Sequence, residues 1–244
     1  VGDNLYQIWV YLAAEPLTGL FMTLVAYRIG LALFQRMGKT PLLNPVLTAV
    51  LLIVGLLTVT GVDYASYFEG AQFVHFLLGP ATVALAIPLY NQLSSVRRSL
   101  PALAAAILVG SVLAAGSAMA VGWLLGGGTQ TVMSLAPKSV TTPIAMGVAE
   151  RLGGLPSLTA VLVILSGILG AIAGPSLLKL ARVTDPRAEG VAMGTASHGI
   201  GTARALQSGE VAGAFSGLAM GLNGLATAIL LPLLWTLATS WGAP

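Results

Sequence analysis

The sequence predicts an all-α polytopic membrane protein, and three observations carry that reading. Of 244 residues, 56% are hydrophobic and 8% charged, where a soluble domain carries about 25% charged residues. The mean hydropathy is +0.90. Apolar runs of about 20 residues, the length that crosses hydrocarbon, alternate with short basic or Gly/Pro-rich stretches. The length holds about seven to nine membrane segments, broken or re-entrant at two polar inserts and built on an internal, inverted repeat. The net charge of +3 is too small and scattered for a nucleic-acid surface, so cations biased to one membrane face explain it and lipid is the first partner. With no cysteine and two distant histidines, His75 and His198, neither thiolate chemistry nor a metal cluster is expected.

Residues 1–15 read as an extension, with Tyr6, Trp9 and Tyr11 in the interfacial belt,. They lack the basic start of a signal peptide. Residues 16–244 read as one transmembrane domain. The first span falls within 5–35, its main helix opening at Pro16; Glu15 and Arg28 inside that window are either functional or snorkelling charges. Pro45 opens the second span, to about Thr60. The loop 61–70, with Asp63 and Glu69 but no cation, belongs outside. The third segment, 71–93, is interrupted by Gly79-Pro80 and Pro88. Here His75 reads as structural or interfacial, and Asn91-Gln92 as an end cap. Arg97 and Arg98 follow on the inside,.

Residues 101–125 form a clean span with a small-residue face at Ala105, Gly110, Ala114, Ser117 and Gly122,. A second clean span covers 156–180, again with small Ser166, Gly170 and Gly174. Lys179, Arg182 and Arg187 then share a side with Arg97 and Arg98. Residues 126–155 must therefore leave and return to one face, as a re-entrant hairpin or a pair of half-helices. Residues 211–241 close the chain as one kinked or two short segments, with Trp235 and Trp241 at the far end. Asn44 and Asn223, polar within apolar runs, read as interhelical hydrogen-bonding residues.

The inserts carry the chemistry. PKSVTTPIAMGVAE (137–150) places Lys138, Ser139, Thr141 and Thr142 at a break between Pro137 and Pro143. A half-helix start leaves about four N–H groups free, with partial positive charge, and hydroxyls complete a carboxylate cradle. The alternatives are hydroxyls bonded back to a kinked helix and a Lys138 that snorkels. AMGTASHGIGTARAL (192–206) places Ser197, His198, Gly199, Thr202 and Arg204 in the second insert. His198 and Thr202 share a helix face. His198 is the proton-coupling candidate, or a packed histidine bonded to a backbone carbonyl. Arg204, two turns beyond Ser197, offers a fork for a carboxylate, or anchors at the membrane edge. The blocks Leu78-Gly79-Pro80-Ala81-Thr82-Val83 and Leu135-Ala136-Pro137-Lys138-Ser139-Val140 share L-x-P-x-[TS]-V, and Leu100-Pro101 matches Leu155-Pro156. Broken helices in corresponding halves point to a transporter site; Gly79, Pro80 and Thr82 are the broken-helix positions of the first half.

PLLNP (41–45), GPATVALAIPLYNQ (79–92), PKSVTTPIAMGVA (137–149) and GTASHGIGTARA (194–205) resemble the LrgB/YohK family of membrane proteins, from about Pro16 onward. The resemblance implies a carrier of small monocarboxylates such as glycolate, glycerate or pyruvate, in a bacterial cell membrane and with an LrgA-like membrane partner; the small-residue spans suggest a homodimer, and no cofactor is expected. It equally implies the older description of the family as holin-like or antiholin-like regulators of murein hydrolase activity and lysis. On the first reading the two inserts meet near the midplane, around the substrate carboxylate, and the insert-bearing bundle moves in elevator fashion. On the second, oligomerisation and a water path suffice. An intramembrane hydrolase is disfavoured: there is no G-x-S-x-G, and adjacent Ser197 and His198 point apart on a helix.

Overall fold

The computed structural model describes residues 16–38, 40, 43–77, 80, 83–84 and 86–240, and these contain helices and turns but no strand. The readings on residues 1–15, Gly79, Thr82 and Trp241 lie outside the described residues, as does the side chain of His75. The helices are α1 Pro16–Arg36, α2 Pro45–Thr60, α3 Tyr64–Phe76, α4 Ala86–Asn91, α5 Leu93–Leu124, α6 Thr129–Leu135, α7 Thr142–Arg151, α8 Pro156–Leu180, α9 Pro186–Ser208 and α10 Glu210–Ser240. They divide into two compact units, Val1–Ala84 and Leu85–Pro244.

Among the described residues, four helices are long and apolar enough to cross a membrane: Leu17–Arg36, Leu93–Leu124, Pro156–Leu180 and Glu210–Leu237, with Pro45–Thr60 a shorter apolar helix. The expected seven to nine segments are therefore not confirmed. At 1.5 Å per residue, α3, α6 and α7 rise only about 20, 10 and 15 Å, against about 30 Å of hydrocarbon. Helix α9 has the length, with 23 residues, but its polar insert keeps it out of the apolar set. The repeat is not confirmed either. Pro101 lies inside α5, which starts at Leu93, whereas Pro156 opens α8.

In the first unit, α1 packs on both α2 and α3. Thr23 and Tyr67 hydroxyls meet at 2.7 Å. Asn44 does not bond between helices: its Oδ1 accepts from Val46 N (2.9 Å) and Leu47 N (3.3 Å), capping α2,. The loop expected over 61–70 is shorter than that, because Asp63 Oδ2 accepts from Ala65 N at 2.9 Å and starts α3 at Tyr64.

In the second unit, α9 and α10 form the tightest pair, α8 flanks α9, and α5 lies against both α9 and α10. Large apolar side chains point outward, Val161, Leu165 and Leu169 on α8 and Leu225, Ile229 and Leu233 on α10 among them. Small and hydroxyl side chains point inward. Lipid is as apolar as leucine, so close contact between small residues drives this packing. Carbon added at Gly167 would meet the His198 ring at 2.6 Å, at Gly170 the Ser197 hydroxyl, and at Gly174 the Met193 sulfur at 2.6 Å. Gly190 and Gly194 similarly admit the Ala212 and Ser216 backbone of α10. Helix α10 runs unbroken through Pro232, and Asn91 Nδ2 donates to Glu210 Oε1 (3.1 Å) at its start. Asn91 thus ties α4 to α10.

Asp185 caps α9, accepting from Arg187 N at 2.9 Å, and its carboxylate pairs with the Arg187 guanidinium at 2.6 Å. The Arg187 hydrogen bonds hold the Asp185 carboxyl below its usual range. A depressed carboxyl stabilises the fold above the unfolded value of about 3.9, and the contribution is lost as pH falls through the folded value. Asp185→Asn is expected to weaken the loss of thermal stability between about pH 5 and pH 3; an unchanged profile would show the cap to be inert. Packing yields a second expectation. Gly170→Ala should lower the melting temperature by an overpacking cost of about 1–3 kcal/mol, while Gly116→Ala, whose added carbon meets nothing, should not. Equal effects would mean α8 and α9 are not held at that distance.

Candidate functional site

Residues 136–141 separate α6 from α7. Ala136 N still bonds to Val132 O (3.0 Å), then Lys138 N turns back to Leu135 O (3.1 Å) and Val140 N to Pro137 O (3.3 Å). Pro137, without an N–H, cannot prolong the α6 ladder. Helix α7 restarts from Thr141, which makes no side-chain cap, and has proline in its first turn. The N–H groups that precede the α7 ladder belong to Thr141, Thr142 and Ile144, since Pro143 has none,. Two short helices, Thr129–Leu135 and Thr142–Arg151, thus occupy most of the stretch 126–155. Ser134 fastens it to α8: its Oγ accepts from Leu155 N (2.7 Å) and its carbonyl accepts from Thr159 Oγ1 (3.0 Å).

The second insert is not a loop. Helix α9 runs through it with one residue out of helical geometry, His198, at φ 42° and ψ −133°. A non-glycine residue there costs about 1–3 kcal/mol and persists only where surroundings impose it. Those surroundings are explicit: Nε2 of buried His198 contacts Val163 O at 3.0 Å, and the ring packs over Gly167. A carbonyl only accepts, so Nε2 carries the hydrogen in this contact. This is the packed, carbonyl-bonded arrangement that stood as the alternative for His198. Thr202 Oγ1 donates to His198 O (3.0 Å) and shares a hydrogen bond with Ser216 Oγ (3.0 Å).

Two sets of contacts bring the breaks together. Asn223 of α10, with no exposed surface, donates from Nδ2 to Ser139 O (3.2 Å) and Thr195 O (3.0 Å), and its Oδ1 accepts from Ser111 Oγ of α5 at 2.5 Å. One amide thus joins α5, α9, α10 and the first break. On the other side, α8 supplies Val163 O to His198 and Ser166 Oγ to Lys138 O (2.8 Å). Lys138 is half-buried; its ammonium reaches Ser139 Oγ at 3.3 Å, and the one ion pair among the described residues is Asp185–Arg187. Two buried hydroxyls, Thr195 Oγ1 and Ser197 Oγ, have no hydrogen-bond partner, a state that costs about 1–3 kcal/mol each.

Lys138, Ser139, Ser197, His198 and Thr202 therefore belong to one buried polar junction. Thr141 and Thr142 sit half-buried at the α7 start, Pro143 and Gly199 are exposed, and Pro137 is buried. Pro80 is exposed. Arg204 follows the break, two residues from Thr202 and so on the opposite helix face, and its Nη1 reaches Gln207 Oε1 at 3.4 Å. The distortion at His198 removes the helical register that would align Arg204 with Ser197. Sequence reasoning did not assign Thr195, Val163, Ser166 and Ser111 to the junction, nor Asn223 its central place. The available signal was Asn223 itself, an amide in an otherwise apolar helix.

Apolar outer faces around a half-buried cation, a buried imidazole and hydroxyls at two helix breaks define an integral membrane protein with an internal polar site. The LrgB-like family model matches residues 23–237, and the chain belongs to that family. It is 38% identical to the uncharacterised protein YxaC of Bacillus subtilis (strain 168), over 83% of this chain and 88% of the relative. It is 37% identical to the uncharacterised protein YwbG of the same strain, over 89% and 96%. With the antiholin-like protein LrgB of Bacillus mycoides (strain KBAB4) it shares 34% identity, over 89% and 95%. No solved structure matches.

Asn223→Leu is expected to cost about 2 kcal/mol, three interhelical bonds at about 0.6 kcal/mol each. Ser111→Ala should cost about a third of that in the native background and little once Asn223 is leucine. Strict additivity in a double-mutant cycle would show the two side chains to be independent.

Proposed function

We propose that the junction holds a small carboxylate and that the chain carries it across the membrane. The observation that supports this best is Lys138, a half-buried cation outside any ion pair, beside Ser139, with the orphaned hydroxyls of Thr195 and Ser197 in the same junction. A buried ammonium without a counterion is costly, and an incoming carboxylate supplies one. A small monocarboxylate of the glycolate, glycerate or pyruvate type is the proposed substrate. Proton coupling through Nδ1 of His198, elevator-like displacement, a homodimer and an LrgA-like partner complete the proposal. Arg204 enters it only if it swings away from Gln207.

A second reading rests on the relatives. The LrgB relatives from Bacillus mycoides and Bacillus cereus are named antiholin-like, a name that mentions no substrate. The names therefore favour a regulator of lysis over a carrier of any particular acid, and the carrier reading rests on the geometry. On the antiholin-like reading the polar junction stabilises a membrane assembly and need not bind a solute.

Uptake of radiolabelled glycolate and pyruvate into proteoliposomes, with and without a pH gradient and with and without an LrgA-like partner, separates the two. A carrier gives saturable uptake that Lys138→Gln reduces at least tenfold, about 1.4 kcal/mol of lost binding. Absent or unsaturable flux that the substitution leaves unchanged, in both preparations, would overturn the carrier reading.

A further inference from the structure

The turn that ends α8 carries an arginine where this chain elsewhere uses glycine. Gly38, Gly61, Gly126 and Gly153 hold the positive φ after α1, α2, α5 and α7, but after α8 the residue is Arg182, at φ 55°. The turn is a Schellman cap, with Val183 N donating to Leu178 O (2.9 Å) and Arg182 N to Lys179 O (3.1 Å),. A side chain in this conformation is disfavoured relative to glycine. Strained residues of this kind cluster where a function compensates the strain, as at His198.

Arg182 lines a cavity of about 270 Å³ together with Lys179, Val183, Thr184 and Glu189. The cavity lies at the end of a membrane-crossing helix, Pro156–Leu180, the level of lipid headgroups. Its lining has two cations to one carboxylate. Neither Lys179 nor Arg182 is in an ion pair, while the neighbouring Arg187 is tied to Asp185. Lys179, in the last turn of α8, already complements the helix dipole, so the dipole alone does not account for Arg182. Arginine is suited to phosphate oxygens by its planar fork.

We propose that this cavity binds a phosphate group at the membrane surface, Arg182 and Lys179 supplying the charge and Thr184 a hydroxyl. The site is separate from the polar junction, and the proposal does not depend on what that junction carries.

The test uses opposed signs. The full chain in neutral detergent is melted with dioctanoyl phosphatidylglycerol, with dioctanoyl phosphatidylcholine or with inorganic phosphate. Arg182→Gly should raise the basal melting temperature by relieving the backbone, yet lose most of the saturable rise that phosphatidylglycerol gives the native chain. Lys179→Gln should lose part of that rise, and Arg182→Lys should keep part. A rise with phosphatidylglycerol alone identifies a lipid headgroup; a rise with inorganic phosphate as well identifies the phosphate group as sufficient. A phosphatidylcholine rise that Arg182→Gly abolishes shows that the phosphate suffices without net lipid charge; the proposal is overturned if neither phosphatidylglycerol nor inorganic phosphate gives a saturable rise, or if Arg182→Gly keeps the full increment.

Discussion

Backbone freed by a broken helix must find partners inside the protein, because hydrocarbon offers none. Here the buried amide of Asn223 meets that requirement. Its two hydrogens go to the carbonyls of Ser139 and Thr195, one at each polar insert, and its oxygen takes the Ser111 hydroxyl. The rest of the second unit is arranged to bring those groups within reach. Glycines on α8 and α9 let the helices approach until His198 and Ser197 lie against α8. Val163 and Ser166, one turn apart on α8, then serve the two breaks from the opposite side.

The same geometry leaves a few polar groups of the junction without partners. Most buried polar groups are satisfied, as expected in a low-dielectric interior. The exceptions gather at the breaks: the hydroxyls of Thr195 and Ser197 and the uncapped start of α7. Lys138 brings a positive charge into this setting without a carboxylate to answer it. His198 is held off its preferred backbone conformation by contacts from α8 and by Thr202. These unpaired groups are the physical ground on which the proposed carrier reading rests.

Much of this was legible in composition and pattern. Few charges and long apolar runs dictate a helical membrane protein, since only helices satisfy their own backbone in lipid without closing a barrel. Prolines at 137 and 143 forced the first break, because each removes a donor from the ladder. The motif residues at 137–149 and 194–205 already carried the family. Other features were not legible. Asn44 and Asp63 look like polar residues in a span and a loop, yet each caps a helix; the difference is one of φ and ψ, which composition does not encode. Pro101 looks like a helix start and lies within α5, since tertiary packing and interfacial water outweigh one lost hydrogen bond.

The sequence by itself determined the helical class, the membrane setting and which residue types carry the chemistry, because these follow from hydropathy, proline placement and side-chain inventory. Only the tertiary structure decided which of those residues meet. Lys138 and Ser139 lie about 60 positions from Ser197 and His198 and are joined through an amide on a third helix, a relation that no local rule contains. Arg204, adjacent to them in the motif, faces the other way once His198 leaves the helix. Sequence sets what each segment can do alone; contact between distant segments depends on how closely the small faces of α8, α9 and α10 pack, and that is settled only when all three are in place.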